Sequence, residues 1–275
     1  MAKRLAYLGP TGTFSEEAAV QYDPDAEMVP HASIQAVALA VASGMADEGV
    51  VPIENSLEGS VTFTLDTLIQ EDRLLIRREL VLSIEHCLIV KPGTKAGEIQ
   101  AIYSHPQALG QCRSFLERCF PKAQQIASLS TAAAVDDVRG SSEVSAAIAP
   151  RRAAELQGME ILGEGIQDSS ANVTRFVVLA HSDHPRTGKD KTSLCFSFQE
   201  DKPGALYNVL GIFAHRDINL TKVESRPSKQ SLGDYIFLID VHGHREDPVI
   251  AAAIETVRIH TSMLKVFGSY PRWDT

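Results

Sequence analysis

The sequence predicts an α/β protein made of two regions with different architectures. From residue 4 to residue 180, short apolar strands alternate with helices, a pattern typical of a sheet covered by helices. The polar stretch 182–190 contains Pro185 and Gly188 and indicates a linker. The remaining residues follow the order β-α-β-β-α-β, which is typical of a ferredoxin-like fold. We therefore expect a larger domain at 1–181 and a smaller one at 191–275.

The larger domain is predicted to contain two α/β lobes. The first lobe begins with a strand at Arg4–Leu8 and a helix at Ser15–Tyr22, whose first turn carries acids that the helix dipole favours. Its other predicted elements are strands at 27–30 and 49–53 and helices at 33–43 and 61–70. An apolar run from Leu80 to Val90 predicts a strand that passes between the lobes.

The second lobe is predicted from strands at 99–103 and 144–149 and helices at 106–119, 130–139 and 151–157. The chain then returns in a strand at 172–180. This alternation predicts a mostly parallel sheet in each lobe. Strand C-termini and helix N-termini would line a cleft between the lobes, where open α/β sheets bind ligands.

The smaller domain is predicted from strands at 192–198, 220–225, 234–242 and 264–269, with helices at 203–215 and 248–262. At the start of its first helix, Gly204, Ala205 and Leu206 offer accessible backbone that could bind an amino acid. Glu224–Pro227 end the following predicted strand. A purely structural α+β module stays open as the alternative.

Composition excludes several classes of function. The net charge of −9 argues against a nucleic acid or an anionic membrane as partner. No apolar run approaches the roughly 18 residues of a membrane span, and the N-terminus lacks the pattern of a signal peptide. Four scattered cysteines indicate reduced thiols in a cytoplasmic protein. The histidine pairs lack the spacing of metal ligands, so we expect no metal and no other cofactor.

Candidate chemistry is found at the ends of predicted strands. Thr174 and Arg175 open an apolar strand, and a hydroxyl beside a guanidinium suits proton donation to a substrate held by its carboxylates. An ordinary strand opening is the alternative. Asn55 follows another strand and can both donate and accept hydrogen bonds. Gln107 and Gln111 share one helical face after the strand that ends near Ser104, and two amides there can orient a polar ligand.

The turn from Gly9 to Ser15 connects a strand to a helix. Its glycines allow close backbone approach, and the N–H groups at a helix start attract anions. Thr11, Thr13 and Ser15 add hydroxyl donors. The segment matches neither common nucleotide-binding pattern, so it predicts a small-anion site or else an ordinary turn.

Six segments together resemble the prephenate dehydratase family. G-P-T-G-T-F-S at 9–15, V-P-I-E-N-S at 51–56, Y-S-H-P-Q at 103–107 and N-V-T-R-F at 172–176 are similar to its catalytic motifs, in the family order. G-A-L at 204–206 and E-S-R-P at 224–227 are similar to the phenylalanine-binding motifs of its ACT domain. The resemblance covers nearly the whole chain.

The resemblance implies a fold, a reaction and a set of residues. The fold would be a two-lobed, periplasmic-binding-protein-like catalytic domain followed by a ferredoxin-like ACT regulatory domain. The reaction would convert prephenate to phenylpyruvate, without a cofactor, with Thr174 as the proton donor. The other implied catalytic residues are Asn55, Ser104, Gln107 and Gln111. The implied substrate-binding residues are Arg175, Phe176, Thr11, Thr13, Phe14 and Ser15.

The resemblance also implies regulation. L-phenylalanine would bind between subunits of a homo-oligomer, a dimer or a tetramer, and suppress activity. The implied effector-binding residues are Gly204, Ala205, Leu206, Glu224, Ser225, Arg226 and Pro227. Because the sequence begins directly at the first strand, we expect a monofunctional enzyme.

Two alternatives stay open. A non-catalytic amino-acid sensor would also have two lobes and a sensing module, although it would not need the Thr174 hydroxyl. An arogenate dehydratase would carry out the same chemistry on the amino-acid analogue of prephenate.

Overall fold

The first lobe is built on a six-stranded sheet. The structure is a computed structural model that describes residues 2–200, 202–229 and 233–273. The strands of this lobe are β1 (Arg4–Leu8), β2 (Glu27–His31), β3 (Glu48–Asn55), β4 (Gly59–Ser60), β5 (Leu75–Ser83) and β11 (Val173–Ala180). Its helices are α1 (Phe14–Tyr22), α2 (Ile34–Ala42) and α3 (Thr62–Gln70). The strand order is β2-β1-β3-β11-β5, and β4 pairs with β3.

The second lobe is built on a five-stranded sheet of order β10-β6-β9-β7-β8. Its strands are β6 (Cys87–Val90), β7 (Ala101–Ser104), β8 (Gln124–Ala127), β9 (Ser145–Ala149) and β10 (Glu160–Gly163). Its helices are α4 (Pro106–Gln111), α5 (Arg113–Cys119), α6 (Thr131–Gly140) and α7 (Arg151–Gln157), with a 3₁₀ turn at Ala96–Glu98. The predicted α/β class and the two lobes are confirmed.

The prediction of mostly parallel sheets is wrong, because each lobe is mixed. In the first sheet β1 runs parallel to β2 and β3, but β11 runs antiparallel to both β3 and β5. In the second sheet β7 is parallel to β8 and β9, whereas β6 is antiparallel to β9 and β10. β6 and β11, each the first strand after the chain crosses into its lobe, run against the parallel strands of their sheets. Apolar periodicity does not report strand direction.

The predicted strand at 80–90 is two strands that belong to different lobes. β5 ends at Ser83 and β6 begins at Cys87, so Ile84–His86 forms the first connection between the lobes. β8 and β10 were not predicted. Both lie at sheet edges and are largely exposed, and they therefore lack the apolar run that marks a buried strand.

The C-terminal domain has the predicted β-α-β-β-α-β order. Its elements are β12 (Asp190–Ser197), α8 (Ala205–Ala214), β13 (Leu220–Pro227), β14 (Tyr235–His242), α9 (Pro248–His260) and β15 (Met263–Pro271). The antiparallel sheet has the order β13-β14-β12-β15. One face packs under the helices, where Phe196 and Ile239 meet Phe213 and Ile254.

The other face of this sheet packs directly on the first lobe. Leu238 and Phe267 belong to the same apolar cluster as Leu65 and Ile76 of the first lobe, so one core crosses the domain boundary. β15 approaches β5 so closely that a Cβ at Gly268 would lie 2.3 Å from the carbonyl oxygen of Ile76. Only glycine permits this contact.

None of the helices in the described part of the chain is long and apolar enough to span a bilayer.

Candidate active site

A cavity of about 420 Å³ lies between the two lobes. Its size falls within the range of small-molecule sites. The first lobe contributes Leu8, Gly9, Thr13, Phe14, Ser15, Ala32, Asn55, Ile84, Asn172 and Thr174. The second lobe contributes His86, His105, Gln107, Ala108, Gln111, Leu129, Ser130 and Thr131. The cleft expected from the alternating elements is therefore present, and both lobe connections border it.

No Lys, Arg, Asp or Glu is found among the described residues that line the cavity. Helix starts in the two lobes instead offer partial positive charge to a ligand there. Thr13 caps α1 and Ser130 caps α6, each accepting a hydrogen bond from a backbone N–H one turn on. The first N–H groups of a helix have no partner within it and carry the positive end of its dipole. Each lobe thus presents one helix start that suits an anionic group.

Asn55 and Thr174 form the polar floor of the cavity, on neighbouring strands. They are directly opposite each other in the β3–β11 pairing. The Asn55 Oδ1 accepts from the backbone N–H groups of Leu57 at 2.9 Å and Glu58 at 3.2 Å, so Nδ2 is the end that faces β11. That Nδ2 donates to the Thr174 Oγ1 at 2.9 Å. Because its oxygen accepts from Asn55, the Thr174 hydroxyl is free to donate its own proton into the cavity.

The Asn55 amide also begins a chain of polar contacts that runs into the second lobe. Its Nδ2 lies 2.8 Å from the Asn172 Oδ1, and the Asn172 Nδ2 lies 3.0 Å from the Gln111 Oε1. The same Gln111 oxygen lies 2.9 Å from the His86 Nε2. Three amide side chains, Asn55, Asn172 and Gln111, therefore connect the Thr174 hydroxyl to a histidine.

His86 is a buried imidazole at the first lobe connection. Only 2% of the residue is exposed, and its ring stands edge-on to Phe14 at a centroid distance of 5.7 Å. Burial lowers the pKa of His86 below its ordinary value, and the contact with Gln111 offsets only part of that effect. The imidazole is therefore neutral near pH 7.

Seven of the predicted catalytic and substrate-binding residues line the cavity: Asn55, Thr174, Gln107, Gln111, Thr13, Phe14 and Ser15. Gln107 and Gln111 project from one face of α4, as their spacing predicts. His105 caps α4 by accepting from the Gln107 N–H at 3.3 Å and also borders the cavity.

Four predicted residues lie elsewhere: Arg175, described below, and the following three. Ser104 is fully buried at the end of β7, where its hydroxyl donates to the Ile148 carbonyl at 2.6 Å. Thr11 is exposed and its hydroxyl contacts the Tyr7 phenol at 3.1 Å. Phe176 is 2% exposed and packs in the apolar core beneath α1. None of the three is placed to contact a ligand in the cavity.

Arg175 is directed away from the cavity. Adjacent residues of a strand point to opposite faces, so Thr174 faces the cleft and Arg175 faces the C-terminal domain. Its guanidinium pairs with Glu54 at 2.9 Å, Glu79 at 3.2 Å and Asp240 at 3.1 Å. The prediction that Arg175 holds a substrate carboxylate conflicts with this placement, because three protein carboxylates already surround it.

These contacts make Arg175 an ion-pair centre between the domains. Burial by itself lowers the pKa of Arg175, but Asp240, Tyr270, Glu79 and Glu54 more than offset that effect and raise the pKa. Asp240 lies on β14 of the C-terminal sheet, so the guanidinium bridges that sheet to β3 and β5 of the first lobe.

The predicted effector-binding residues lie in two places on the C-terminal domain. Gly204 caps α8 with a left-handed φ of 85°, and Ala205 and Leu206 form the first turn of the helix. On β13, Glu224 accepts from the Ser60 hydroxyl at 2.6 Å, and Arg226 bonds to Asp66. Ser225 and Pro227, on the alternate positions of the same strand, are exposed. Half of the E-S-R-P segment therefore contacts the first lobe.

Sequence patterns did not indicate His86, Asn172, Ser130 or Thr131 as site residues. Asn172 opens the N-V-T-R-F segment at 172–176, and Ser130 and Thr131 are visible in the sequence as helix caps, so weak signals existed for these three. His86 lies inside an apolar run that gives no local indication of a site. In the part of the chain that the structure describes, no group of three or more His, Cys, Asp or Glu could hold a metal ion.

Comparison with known proteins relates both domains to described families. A family model described as prephenate dehydratase matches residues 5–184, and one described as ACT domain matches residues 196–258. The prephenate dehydratase of Methanocaldococcus jannaschii is 40% identical over 283 residues, which cover 100% of both chains. The bifunctional chorismate mutase/prephenate dehydratase of Stutzerimonas stutzeri is 43% identical over 270 residues, which cover 98% of this chain and 73% of that protein.

A solved structure is similar over both domains. Prephenate dehydratase from Arthrobacter aurescens, in complex with L-Phe, superposes with a TM-score of 0.91 at 37% identity. The match covers 98% of this chain and 90% of the other.

Proposed function

The chain belongs to the prephenate dehydratase family, and from that premise we propose that it converts prephenate to phenylpyruvate with loss of carbon dioxide and water. The observation that carries this proposal is the Thr174 hydroxyl, which lines an uncharged cavity and accepts a hydrogen bond from Asn55, so that its own proton stays available to a ligand. The ring becomes aromatic as carbon dioxide departs and the ring hydroxyl, on taking a proton, leaves as water, so the protein must mainly orient the substrate and assist the leaving hydroxyl.

The dianionic substrate fits the two helix starts. One carboxylate would bind at the beginning of α1, near Thr13–Ser15, and the other at the beginning of α6, near Ser130 and Thr131. Helix N–H groups bind anions without a nearby cation. Placing the carboxylates on opposite lobes would also hold the cleft closed around the ring. The apolar side chains of Leu8, Phe14 and Ile84 would exclude water, which strengthens every hydrogen bond in the site.

Thr174 would then act on the hydroxyl that leaves the ring. A threonine hydroxyl is a poor acid in water, but the Asn55 N–H withdraws electron density from its oxygen and stabilises negative charge that develops there. Such assistance is typically worth about 10²–10⁴-fold in rate. Gln107 and Gln111 would orient the ring and its hydroxyl through their amides.

Measuring phenylpyruvate formation directly tests this proposal. The purified protein should release phenylpyruvate from prephenate, detected by its ultraviolet absorbance in alkali, and should do so after exhaustive chelation. Parallel assays with arogenate separate the two dehydratase activities by their kcat/KM values. Binding of prephenate without product would instead support the sensor.

We further propose that L-phenylalanine regulates the enzyme through the C-terminal domain. The support is the similar structure in complex with L-Phe and the contacts of Glu224 and Arg226 with the first lobe. A ligand that binds beside β13 would shift those contacts and thereby favour one arrangement of the domains. β13 is an edge strand of its sheet, which suits a second copy of the chain as neighbour in a homo-oligomer.

Dose–response curves for phenylalanine, together with light scattering, test the regulatory proposal. Ser225→Arg places bulk on the exposed face of β13 and should weaken inhibition without lowering activity in the absence of phenylalanine. Unchanged inhibition in this variant would place the effector elsewhere.

A further inference from the structure

We propose that His86 is a positioning residue for the dehydration. It fixes the series of hydrogen-bonded amides Gln111, Asn172 and Asn55, and this series keeps the Thr174 proton available to the substrate. This inference rests on the proposed dehydratase activity. His86 lies at the far end of the polar chain that begins at Thr174, and its place is set by contacts to Gln111 rather than by contact with a reacting group.

The direction of every hydrogen bond in this series of amides follows from Asn55, whose oxygen is held by two backbone N–H groups. The N–H groups of Leu57 and Glu58 require the Asn55 oxygen on their side, so the Asn55 Nδ2 donates to the Asn172 Oδ1. The Asn172 Nδ2 must then donate to the Gln111 Oε1. Since amide oxygens only accept, His86 has to donate to the same Gln111 oxygen through its Nε2–H.

The other end of the Gln111 amide agrees with this assignment. The Gln111 Nε2 faces the Glu58 carboxylate at 3.5 Å, and the reversed amide would place its oxygen against that anion. Two separate contacts, one with Asn172 and one with Glu58, therefore give the same orientation.

The surroundings of His86 select the required tautomer. Its Nδ1 is buried and has no hydrogen-bond partner among the described residues, so a proton there would have no acceptor. The imidazole is thus a neutral Nε2–H donor. A neutral donor also adds no charge to a cavity that receives a dianion.

The His86 contact matters for the reaction because it fixes the orientation of Gln111 and, through Gln111, that of Asn172. Two donors on one oxygen hold the Gln111 amide in a single orientation, which presents its nitrogen side toward Glu58 and maintains Asn172 as an acceptor for Asn55. Without the His86 donor, the Gln111 amide is held by one strong bond and can rotate. If the Gln111 amide reversed, its Nε2 would face the Asn172 Nδ2, and these two donors would repel each other. That repulsion would disturb Asn172 and, through it, the Asn55 contact with Thr174.

Tautomer assignment by nitrogen-15 NMR tests the first step without any activity measurement. In the wild-type protein with labelled histidine, His86 should give the Nε2–H pattern at neutral pH, and the His86→Gln variant identifies its signals. An Nδ1–H or a protonated imidazole would overturn the proposal.

Kinetics test the second step. We expect His86→Met to lower kcat about tenfold, the effect of one lost hydrogen bond, with little change in KM. His86→Gln keeps an N–H donor and should recover most of kcat. The loss caused by His86→Met should also nearly vanish in a Thr174→Val background, because coupled residues are not additive. Equal kcat in the Met and Gln variants, or full additivity with Thr174→Val, would show that His86 only fills space.

Failure of the inference is distinguishable from failure of the proposed function. If the wild-type protein forms no phenylpyruvate, the function itself is wrong. If it does and the two His86 variants behave alike at matched thermal stability, only the role of His86 is wrong.

Discussion

Replacing Thr174 with valine should separate catalysis from stability. Valine has nearly the shape of threonine but no hydroxyl, so the change removes the proposed proton donor and leaves the packing of β11 intact. The Asn55 Nδ2 loses one acceptor but keeps the Asn172 Oδ1 at 2.8 Å and the Val173 carbonyl at 3.2 Å. Its two N–H bonds therefore remain satisfied, and we expect the free energy of unfolding to fall by no more than about 1 kcal/mol.

The catalytic loss should be much larger than the loss of stability. A general acid contributes about 10²–10⁴-fold, which corresponds to about 2.7–5.4 kcal/mol of transition-state stabilisation. Phenylpyruvate formation at saturating prephenate gives kcat, and urea denaturation gives the free energy of unfolding. Thr174→Ser restores a hydroxyl and should recover part of kcat.

The matched control is Thr67→Val. Thr67 lies on α3, where its hydroxyl donates to the Phe63 carbonyl, so the same chemical change occurs away from the cavity. It should leave kcat unchanged. A Thr174→Val enzyme whose kcat is within about threefold of wild type would refute the assignment of Thr174 as proton donor, since general acid assistance is worth at least about 10².

Three further predictions concern stability. Arg175→Met leaves buried carboxylates without their shared cation and should lower the free energy of unfolding, measured by urea denaturation, by about 3–5 kcal/mol. The control Arg139→Met removes an exposed ion pair and should change that free energy by less than about 1 kcal/mol. Similar values for the two variants would mean that the ion-pair centre contributes little. Gly268→Ala places a Cβ against the backbone of β5 and should lower the melting temperature by several degrees. The control Gly140→Ala should not, because a Cβ at that position meets no neighbouring atom within 4 Å. Equal melting temperatures for the two variants would contradict the close approach of β15 to β5. The pKa of His86 is lowered in the folded protein, so near pH 6.5 the unfolded chain binds a proton at this residue while the folded chain does not. The contribution of His86 to the free energy of unfolding is therefore fully present above about pH 6.5. Below that pH the free energy of unfolding falls by up to about 1.4 kcal/mol per pH unit, until the pKa of the folded state is reached. Unfolding measured from about pH 7.5 to about pH 5 should therefore be less pH-dependent in His86→Gln, and identical pH profiles would show that His86 protonates equally in both states.

Several residues of the candidate active site could be predicted from the sequence because their chemistry is local. Asn55, Thr174 and Gln111 each follow or begin a recognisable element, and the alternation of strands and helices predicts that such ends meet in a cleft. The capped starts of α1 and α6 are also local patterns, visible as hydroxyl residues before a helical run. The C-terminal domain was predictable in full order, because its strands are bounded by clear turn residues.

Other residues required knowledge of which strands are neighbours. The period of a strand places Thr174 and Arg175 on opposite faces, but it does not say which face meets the cleft. That choice depends on β11 lying between β3 and β5, with the C-terminal sheet packed behind them. Arg175 therefore looks like a substrate ligand in the sequence and is an interdomain ion-pair centre in the structure.

The sequence by itself determined the α/β class, most of the elements in their order, and the residues whose role depends on their immediate neighbours. Tertiary structure alone decided the direction of β11, the burial of Ser104 and the meeting of His86 with Gln111. The physical reason is that hydrophobic periodicity and capping act over a few residues, whereas hydrogen-bond partners and burial depend on packing between segments far apart in the chain. His86 and Gln111 are 25 residues apart, and Asn55 and Thr174 are 119 apart, so only the folded chain places their atoms within 3 Å.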